Sequence, residues 1–268
     1  MKFNYILLSG LLFALGSFCQ EKQNFTDATG LKQGFWIKRQ PGGNPVYEGF
    51  FLDNKPVGQW KRYHDAGGLK ALIHYISGSD SAMAILYDVS GKIIARGIYL
   101  NEKRTGVWIL LSGDRKVAEE SYLDGQKNGL SRSYYQSGEL FGETEWKNGQ
   151  QHGKSRFFFK EGKPYLEMMY ASGKRNGYCI SYFQNGAMEM ESVYKDDLKE
   201  GDWKYYDNEG NLLYILRYSR GVIQNPGVLD SLESVRFRGL DLNRGKIPDP
   251  EDFLDNPSEY MMQMQNGK

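Results

Sequence analysis

The 268-residue sequence predicts an all-β fold, an elongated single-layer antiparallel β-meander of about eight tandem 24-residue hairpin repeats. Three observations predict it. A small residue recurs at Gly34, Gly58, Ala82, Gly106, Gly129, Gly153, Gly177 and Gly201, spaced by 24 residues except for 23 between Gly106 and Gly129. A second glycine follows nine positions later, at Gly43, Gly67, Gly91, Gly138, Gly162, Gly186 and Gly210, with Gly113 serving the shortened fourth repeat. Aromatic residues hold fixed places between them. Trp36, Trp60, Trp108 and Trp203 stand two positions into their repeats, and Tyr63, Tyr87, Tyr134, Phe158, Tyr182 and Tyr206 stand five in. Phe51, Tyr75, Tyr99, Trp146, Tyr170, Tyr194 and Tyr218 stand seventeen in, with Tyr122 one place early in the shortened repeat.

The chain opens with a segment of a different kind. Residues 1–20 read as a signal peptide: one basic residue, Lys2, then an apolar run over residues 5–15, then the small residues Gly16 and Ser17. The run is shorter than the ~20 residues that span a bilayer. Cleavage after Cys19 gives a mature chain beginning near Gln20 or Glu21, exported to the periplasm, cell envelope or extracellular space. A lipoprotein acylated at Cys19 is the alternative, and the bulky Phe18 before that cysteine argues against it. Once Cys19 is removed only Cys179 remains, so the mature chain has no intramolecular disulfide and depends on packing.

Residues 21–33 are polar and read as a linker or edge strand feeding the array, which occupies residues 34–224. Within each repeat the nine-on glycine closes a polar segment such as Asp207-Asn208-Glu209-Gly210, the pattern of a hairpin turn ending in a left-handed residue. Alternation follows, as in Leu212, Tyr214, Leu216 and Tyr218, and period two means a strand with one covered face. A second turn, carrying Gly78, Gly125, Gly149, Gly173 or Gly221, leads to the next repeat. Sixteen strands at ~4.8 Å spacing would span on the order of 75 Å. Trp60, Tyr63, Trp108, Tyr134, Trp146, Phe158, Tyr170, Tyr182, Tyr194, Trp203, Tyr206 and Tyr218 are therefore structural repeat positions, expected to stack between neighbouring repeats. A basic residue three positions in faces a glutamate fourteen in, as Arg132 does Glu143 and Arg156 does Glu167. Residues 225–268 form an acidic tail with Pro248, Pro250 and Pro257, and Asp249-Pro250 is a start signal for a short capping helix.

Composition limits the function. With 34 Lys plus Arg against 33 Asp plus Glu the net charge is +1, which argues against a nucleic-acid partner. Aromatic residues make up 14% of the chain while mean hydropathy is −0.60, which fits neither a polytopic membrane protein nor a disordered one. No catalytic, cofactor or metal site is expected. The histidines His64, His74 and His152 fall at different repeat positions, and there is no HExxH or CxxC spacing. Glu143, Glu145, Glu167, Glu189 and Glu191 recur because the repeat recurs, which reads as a solvated face rather than a pair of catalytic acids.

The repeat opening Gly58-Gln59-Trp60-Lys61-Arg62-Tyr63 and the segment from Tyr170 to Gly177 resemble MORN repeats, and more closely the bacterial MORN variant of YwqK-like antitoxin proteins. The resemblance covers roughly residues 30–224. It implies a ribbon of β-hairpins acting as a scaffold or binding surface, with membrane or protein contacts. The sequence adds a candidate binding edge in the second turns: Lys55, Lys103, Arg104, Lys127, Lys174, Arg175 and Lys199. Turns at the other end carry Asp65, Asp88, Glu161, Asp207 and Glu209. The reading is an exported, non-enzymatic scaffold that binds a protein or an anionic envelope component, with peripheral membrane association. The alternative is an antitoxin-like protein that neutralises a toxin by direct binding.

Overall fold

The computed structural model describes residues 22–233. The segment expected to be a signal peptide, the acylation candidate Cys19 and the helix expected from Asp249 lie outside the described residues. Two compact units divide the chain, residues 1–115 and 116–268, and the division falls inside the shortened fourth repeat. The N-terminal unit holds β1 (Phe25–Thr26), β2 (Lys32–Arg39), β3 (Pro45–Leu52), β4 (Lys55–Tyr63), β5 (Leu69–Tyr75), β6 (Ser81–Tyr87), β7 (Ile93–Leu100) and β8 (Lys103–Ser112). The C-terminal unit holds β9 (Arg115–Leu123), β10 (Gln126–Lys127), β11 (Gly129–Tyr134), β12 (Leu140–Lys147), β13 (Gln150–Phe158), β14 (Pro164–Ala171), β15 (Lys174–Tyr182), β16 (Met188–Lys195), β17 (Leu198–Tyr206), β18 (Leu212–Ser219) and β19 (Val222–Ile223). In each unit the strands form an antiparallel meander, as the repeat predicts. The two-residue strands β1 and β19 pair with β2 and β18, and residues 227–233 are helical. Short strands at such ends limit the unpaired backbone offered to other chains.

Two kinds of turn alternate. Within a repeat, the Asp88 N–H donates to the Lys92 carbonyl and the Gly91 N–H to the Asp88 carbonyl, and Gly91 has φ +83°. The same pattern recurs at His64, Phe183 and Asp207. It is the three-residue hairpin loop that ends in a left-handed residue, which is why glycine stands nine positions in. Between repeats the loop is two residues, both left-handed, as at Asp53-Asn54, Asn148-Gly149 and Asp196-Asp197. These are type I′ turns, whose twist matches that of the flanking strands.

The second turn leads to the opening glycine as expected, and that glycine lies within the strand rather than in the turn. Gly58 lies inside β4 with φ +63°, where the register changes from Phe50 opposite Val57 to Glu48 opposite Lys61. The longer side of this β-bulge needs a residue free to adopt positive φ. Repeat three shows the requirement by exception. Its opening residue is Ala82, and β5 and β6 pair without any register change. The surplus residues go into the loop instead, where the Ile76 N–H donates to the Ser81 carbonyl around Ser77-Gly78-Ser79-Asp80.

One face of each meander carries the buried core. Trp60, Ala84, Trp108, Ser155, Cys179 and Trp203, all two positions into their repeats, are buried. The residue before each of them in the preceding repeat is matched in size. A Cβ on Gly49 would lie 2.3 Å from the Trp60 ring, and one on Gly97 would lie 2.4 Å from Trp108. Ser192 precedes Trp203, whereas the large Ile73 faces Ala84. The bulge also leaves a carbonyl for each indole: Trp60 Nε1 donates to Phe50 O at 3.0 Å, Trp108 to Ile98 O at 3.0 Å and Trp203 to Val193 O at 3.2 Å. A buried tryptophan needs such a partner.

Aromatic contacts do join neighbouring repeats, but between different repeat positions rather than identical ones. Phe51 meets Trp60 edge-on with centroids 4.8 Å apart, Tyr99 meets Trp108 at 4.9 Å and Tyr194 meets Trp203 at 5.1 Å. The antiparallel register sets the seventeen-on ring of one repeat beside the two-on ring of the next. In repeats five and six, where the two-on residue is serine, aromatic mass moves toward the within-repeat turn, and Phe141, Phe157 and Tyr165 pack in series at 5.6 and 6.0 Å. There Gly142 leaves room for Phe157, whose ring would lie 2.6 Å from an added Cβ.

Candidate binding surface

The face opposite the core carries charge rows built from the fourteen-on glutamate and the three-on cation. The observed pairs run mainly between repeats rather than within one hairpin. Lys61 bonds Glu48 at 2.9 Å and Lys204 bonds Glu191 at 3.0 Å, while Arg156 bonds Glu143 instead of Glu167, its register partner across the hairpin. Arg132 lies between Glu119 and Glu143, at 3.9 and 3.7 Å. Arg132 and Arg156 have a glutamate on both neighbouring strands, whereas Lys61 and Lys204 face Leu72 and Ile215 on the other side. The five-on tyrosines belong to the same rows: Tyr63 donates to Glu48 at 2.8 Å and Tyr134 to Glu119 at 3.0 Å. Burial, and then the bond to Glu48, push the Tyr63 hydroxyl up to about 12. The hydrogen bond from Lys61 holds the Glu48 carboxyl below its ordinary range. Glu143 is half-buried rather than solvated, which departs from the expected open acidic face.

Beyond the charge rows, toward the turns between repeats, the two units differ. In the N-terminal unit the register pairs Phe35 with Phe50, His74 with Met83, and Met83 with Ile98. Phe50, Met83 and Ile98 are large, apolar and exposed, at 42, 52 and 42%. In the C-terminal unit the same positions pair Leu130 with Glu145, Lys154 with Met169, Tyr178 with Val193, and Asp202 with Arg217, so that charged residues interrupt the row and the last two form an ion pair at 3.5 Å.

The seven turn cations fall into two groups. Lys55, Lys103 and Lys174 are exposed. The other four lie over rings of the aromatic series: Arg104 over Trp108 at 4.5 Å, Lys127 over Trp146 at 4.7 Å, Arg175 over Tyr194 at 4.2 Å and Lys199 over Trp203 at 4.3 Å. Arg175 also bonds Asp197 at 3.0 Å, and Lys127 bonds Glu120. These four cover the ends of the core with their stems and add cation–π attraction. Their spacing relative to the seventeen-on and two-on aromatics was the available signal for this.

The N-terminal unit also contains a cleft of about 840 Å³ on its core face. Ala71, Ile73, Ala82 and Leu86 contribute its apolar lining, and Tyr75 and Tyr99 also line it. No motif in the sequence pointed to it; the alanine at position 84 of a tryptophan repeat was the trace. Among the described residues, no group of three His, Cys, Asp or Glu side chains is placed to hold a metal ion. Cys179 is buried, which pushes its thiol up and makes it core rather than a nucleophile.

With this geometry in place, the repeats define the class of protein: a β-hairpin repeat array with glycine bulges and interleaved aromatics. The model of the MORN repeat variant matches residues 56–77, 127–148 and 199–219, three segments that support a MORN-repeat protein. No curated protein sequence matches it. Among solved structures it is similar to S. aureus TarM, at 8% identity and a TM-score of 0.23, over 44% of this chain and 19% of that one. It is also similar to the Photorhabdus luminescens Tc holotoxin pore, at 13% identity and a TM-score of 0.21, over 73% of this chain and 12% of that one.

Proposed function

We propose that this protein is an exported, non-enzymatic scaffold that docks on the cell envelope through the free face of its N-terminal unit. The observation that carries the reading is the exposed apolar row Phe50, Met83 and Ile98 on the same unit as the exposed turn cations Lys55 and Lys103. Apolar side chains beside lysines suit an anionic amphipathic surface, with ~1 kcal/mol per cation near an anionic bilayer and apolar burial adding to it. Repetition along the meander multiplies individually weak contacts. The C-terminal unit places Glu145, Lys154 and the Asp202–Arg217 ion pair among the equivalent positions and is the less suited of the two.

Co-sedimentation of the protein with phosphatidylglycerol and with phosphatidylcholine vesicles tests this. Binding to the anionic vesicles should fall with salt and be lost in a Lys55→Glu/Lys103→Glu/Ile98→Asp variant. Reversal at Arg104 or Arg175 is the poorer probe, because those side chains also cover core rings. Equal binding to both vesicle types, or unchanged binding by the variant, would remove the reading.

A further inference from the structure

The cleft lies on the opposite face from the apolar row and has a cause that can be read from the repeat. In repeats two and eight a tryptophan fills the space between consecutive seventeen-on aromatics. Trp60 lies between Phe51 and Tyr75, at 4.8 and 6.1 Å, and Trp203 between Tyr194 and Tyr218, at 5.1 and 5.4 Å. Repeat three keeps both flanking rings, Tyr75 and Tyr99, on the strands either side of Ala82, and has Ala84 where those repeats have tryptophan. Tyr75 is backed by Trp60 and Tyr99 by Trp108 at 4.9 Å, so both rings are supported from their far sides. The absent bulge at Ala82 sends the surplus residues into the loop from Ile76 to Ser81, and Ile76 and Asp80 of that loop line the same cleft.

We infer that this cleft is a docking seat for a tryptophan side chain of a partner polypeptide. The other repeats show which group fits between two such rings: an indole held edge-on by both. Such ring pairs contribute ~0.5–1.5 kcal/mol each beyond area burial. A volume of about 840 Å³ exceeds one side chain and leaves room for the residues flanking it. The rim offers partners for their polar groups, with Arg62 and Lys55 as donors and Asp80 and Glu102 as acceptors. Of the five tryptophans, Trp60, Trp108 and Trp203 are buried in their own core, Trp36 is packed on Phe51 and hydrogen-bonded through its indole, and Trp146 lies under Lys127. The occupant is therefore assigned to a different protein.

The test is a titration of the isotopically labelled protein, followed by amide NMR, with the capped tripeptide Ala-Trp-Ala, its Leu counterpart and free indole. The tryptophan peptide should give saturable shifts centred on Tyr75, Ala82, Ala84 and Tyr99, at least about tenfold tighter than the leucine peptide. It should also bind more tightly than indole, because the flanking residues reach the rim. An Ile73→Gly/Ala84→Trp variant installs the glycine and tryptophan pair of the neighbouring repeats and fills the seat from within, so it should keep the β-sheet spectrum and lose binding. Should that variant fail to fold, Tyr99→Leu removes one ring and should weaken binding in the same direction. Equal binding of the leucine peptide, or full binding by a folded filled variant or by Tyr99→Leu, would overturn the seat. Indole binding as tightly as the peptide would overturn the polypeptide source.

Discussion

Ala84 and Trp108 stand at the same place in consecutive repeats, and the residues preceding them on the neighbouring strand, Ile73 and Gly97, are exchanged in size. In one case a large residue faces a small one and a cleft opens between Tyr75 and Tyr99. In the other the indole is wholly buried in the space that the missing Cβ leaves. The comparison teaches that the packed element is the junction between repeats rather than the repeat itself. Each buried tryptophan meets a small residue belonging to the repeat before it, Trp60 meeting Gly49, Trp108 Gly97 and Trp203 Ser192. The small-residue junctions of the C-terminal unit solve the same problem with hydrogen bonds, the Thr144 and Ser155 hydroxyls lying 2.7 Å apart.

The largest break in this comparison comes from Trp108→Ala. It should cost about 3–5 kcal/mol in chemical denaturation, since the indole is fully buried and hydrogen-bonded. Gly58→Ala should cost about 1–2 kcal/mol in the same assay for a different reason. No atom lies within 4 Å of the added methyl group, so the cost is the backbone at φ +63° alone. Ala82, at the equivalent place, bears no such strain because its bulge is absent.

Much of this architecture was legible in the sequence. The nine-on glycines and the paired polar turns fall where their spacing puts them, because positive φ admits few residue types. The bulge was less legible, since a glycine near a turn and a glycine inside a strand look alike until the register is known. The direction of the ion pairs was hidden for a related reason: Arg156 has a glutamate on each side, and only side-chain placement selects Glu143. The cleft left a single trace, Ala84 in place of tryptophan, and its meaning depends on Ile73, eleven residues earlier and one strand away. The turn cations were found by type, but their division into exposed lysines and ring-covering side chains follows from the neighbouring strands.

Smaller effects sharpen the contrast within the serine junctions. Ser155→Ala should cost about 1 kcal/mol by thermal melting, because it leaves the Thr144 hydroxyl without its partner. Ser131→Ala should be neutral or slightly stabilising, because the Ser131 Oγ is buried without a hydrogen-bond partner among the described residues. The opposite order would show that the two junctions are not packed as described.

The charge row provides the smallest effect and a pH signature. The Glu48 carboxyl is held below its ordinary value by Lys61 and then Tyr63, so its stabilisation is present above the unfolded carboxylate pKa and lost as pH falls through the lowered folded value. The Lys61 side chain is 43% exposed, which limits the pair to about 0.5 kcal/mol. Glu48→Gln should therefore lower Tm slightly at neutral pH, and the difference should close well below pH ~4. A difference that persists at low pH would assign the effect to packing instead of charge.

The dependence of the buried tryptophan on the small residue before it is tested most directly by a double-mutant cycle at Gly97 and Trp108. Gly97→Ala alone should cost about 1–3 kcal/mol, because its methyl group would overlap the indole. In a Trp108→Ala background the same methyl group meets open space, so its cost should fall to within ~0.5 kcal/mol of zero and the two sites should be strongly coupled. Additive losses in the double variant would mean that Gly97 serves the backbone rather than the indole, and the size-matched junction between repeats would be contradicted.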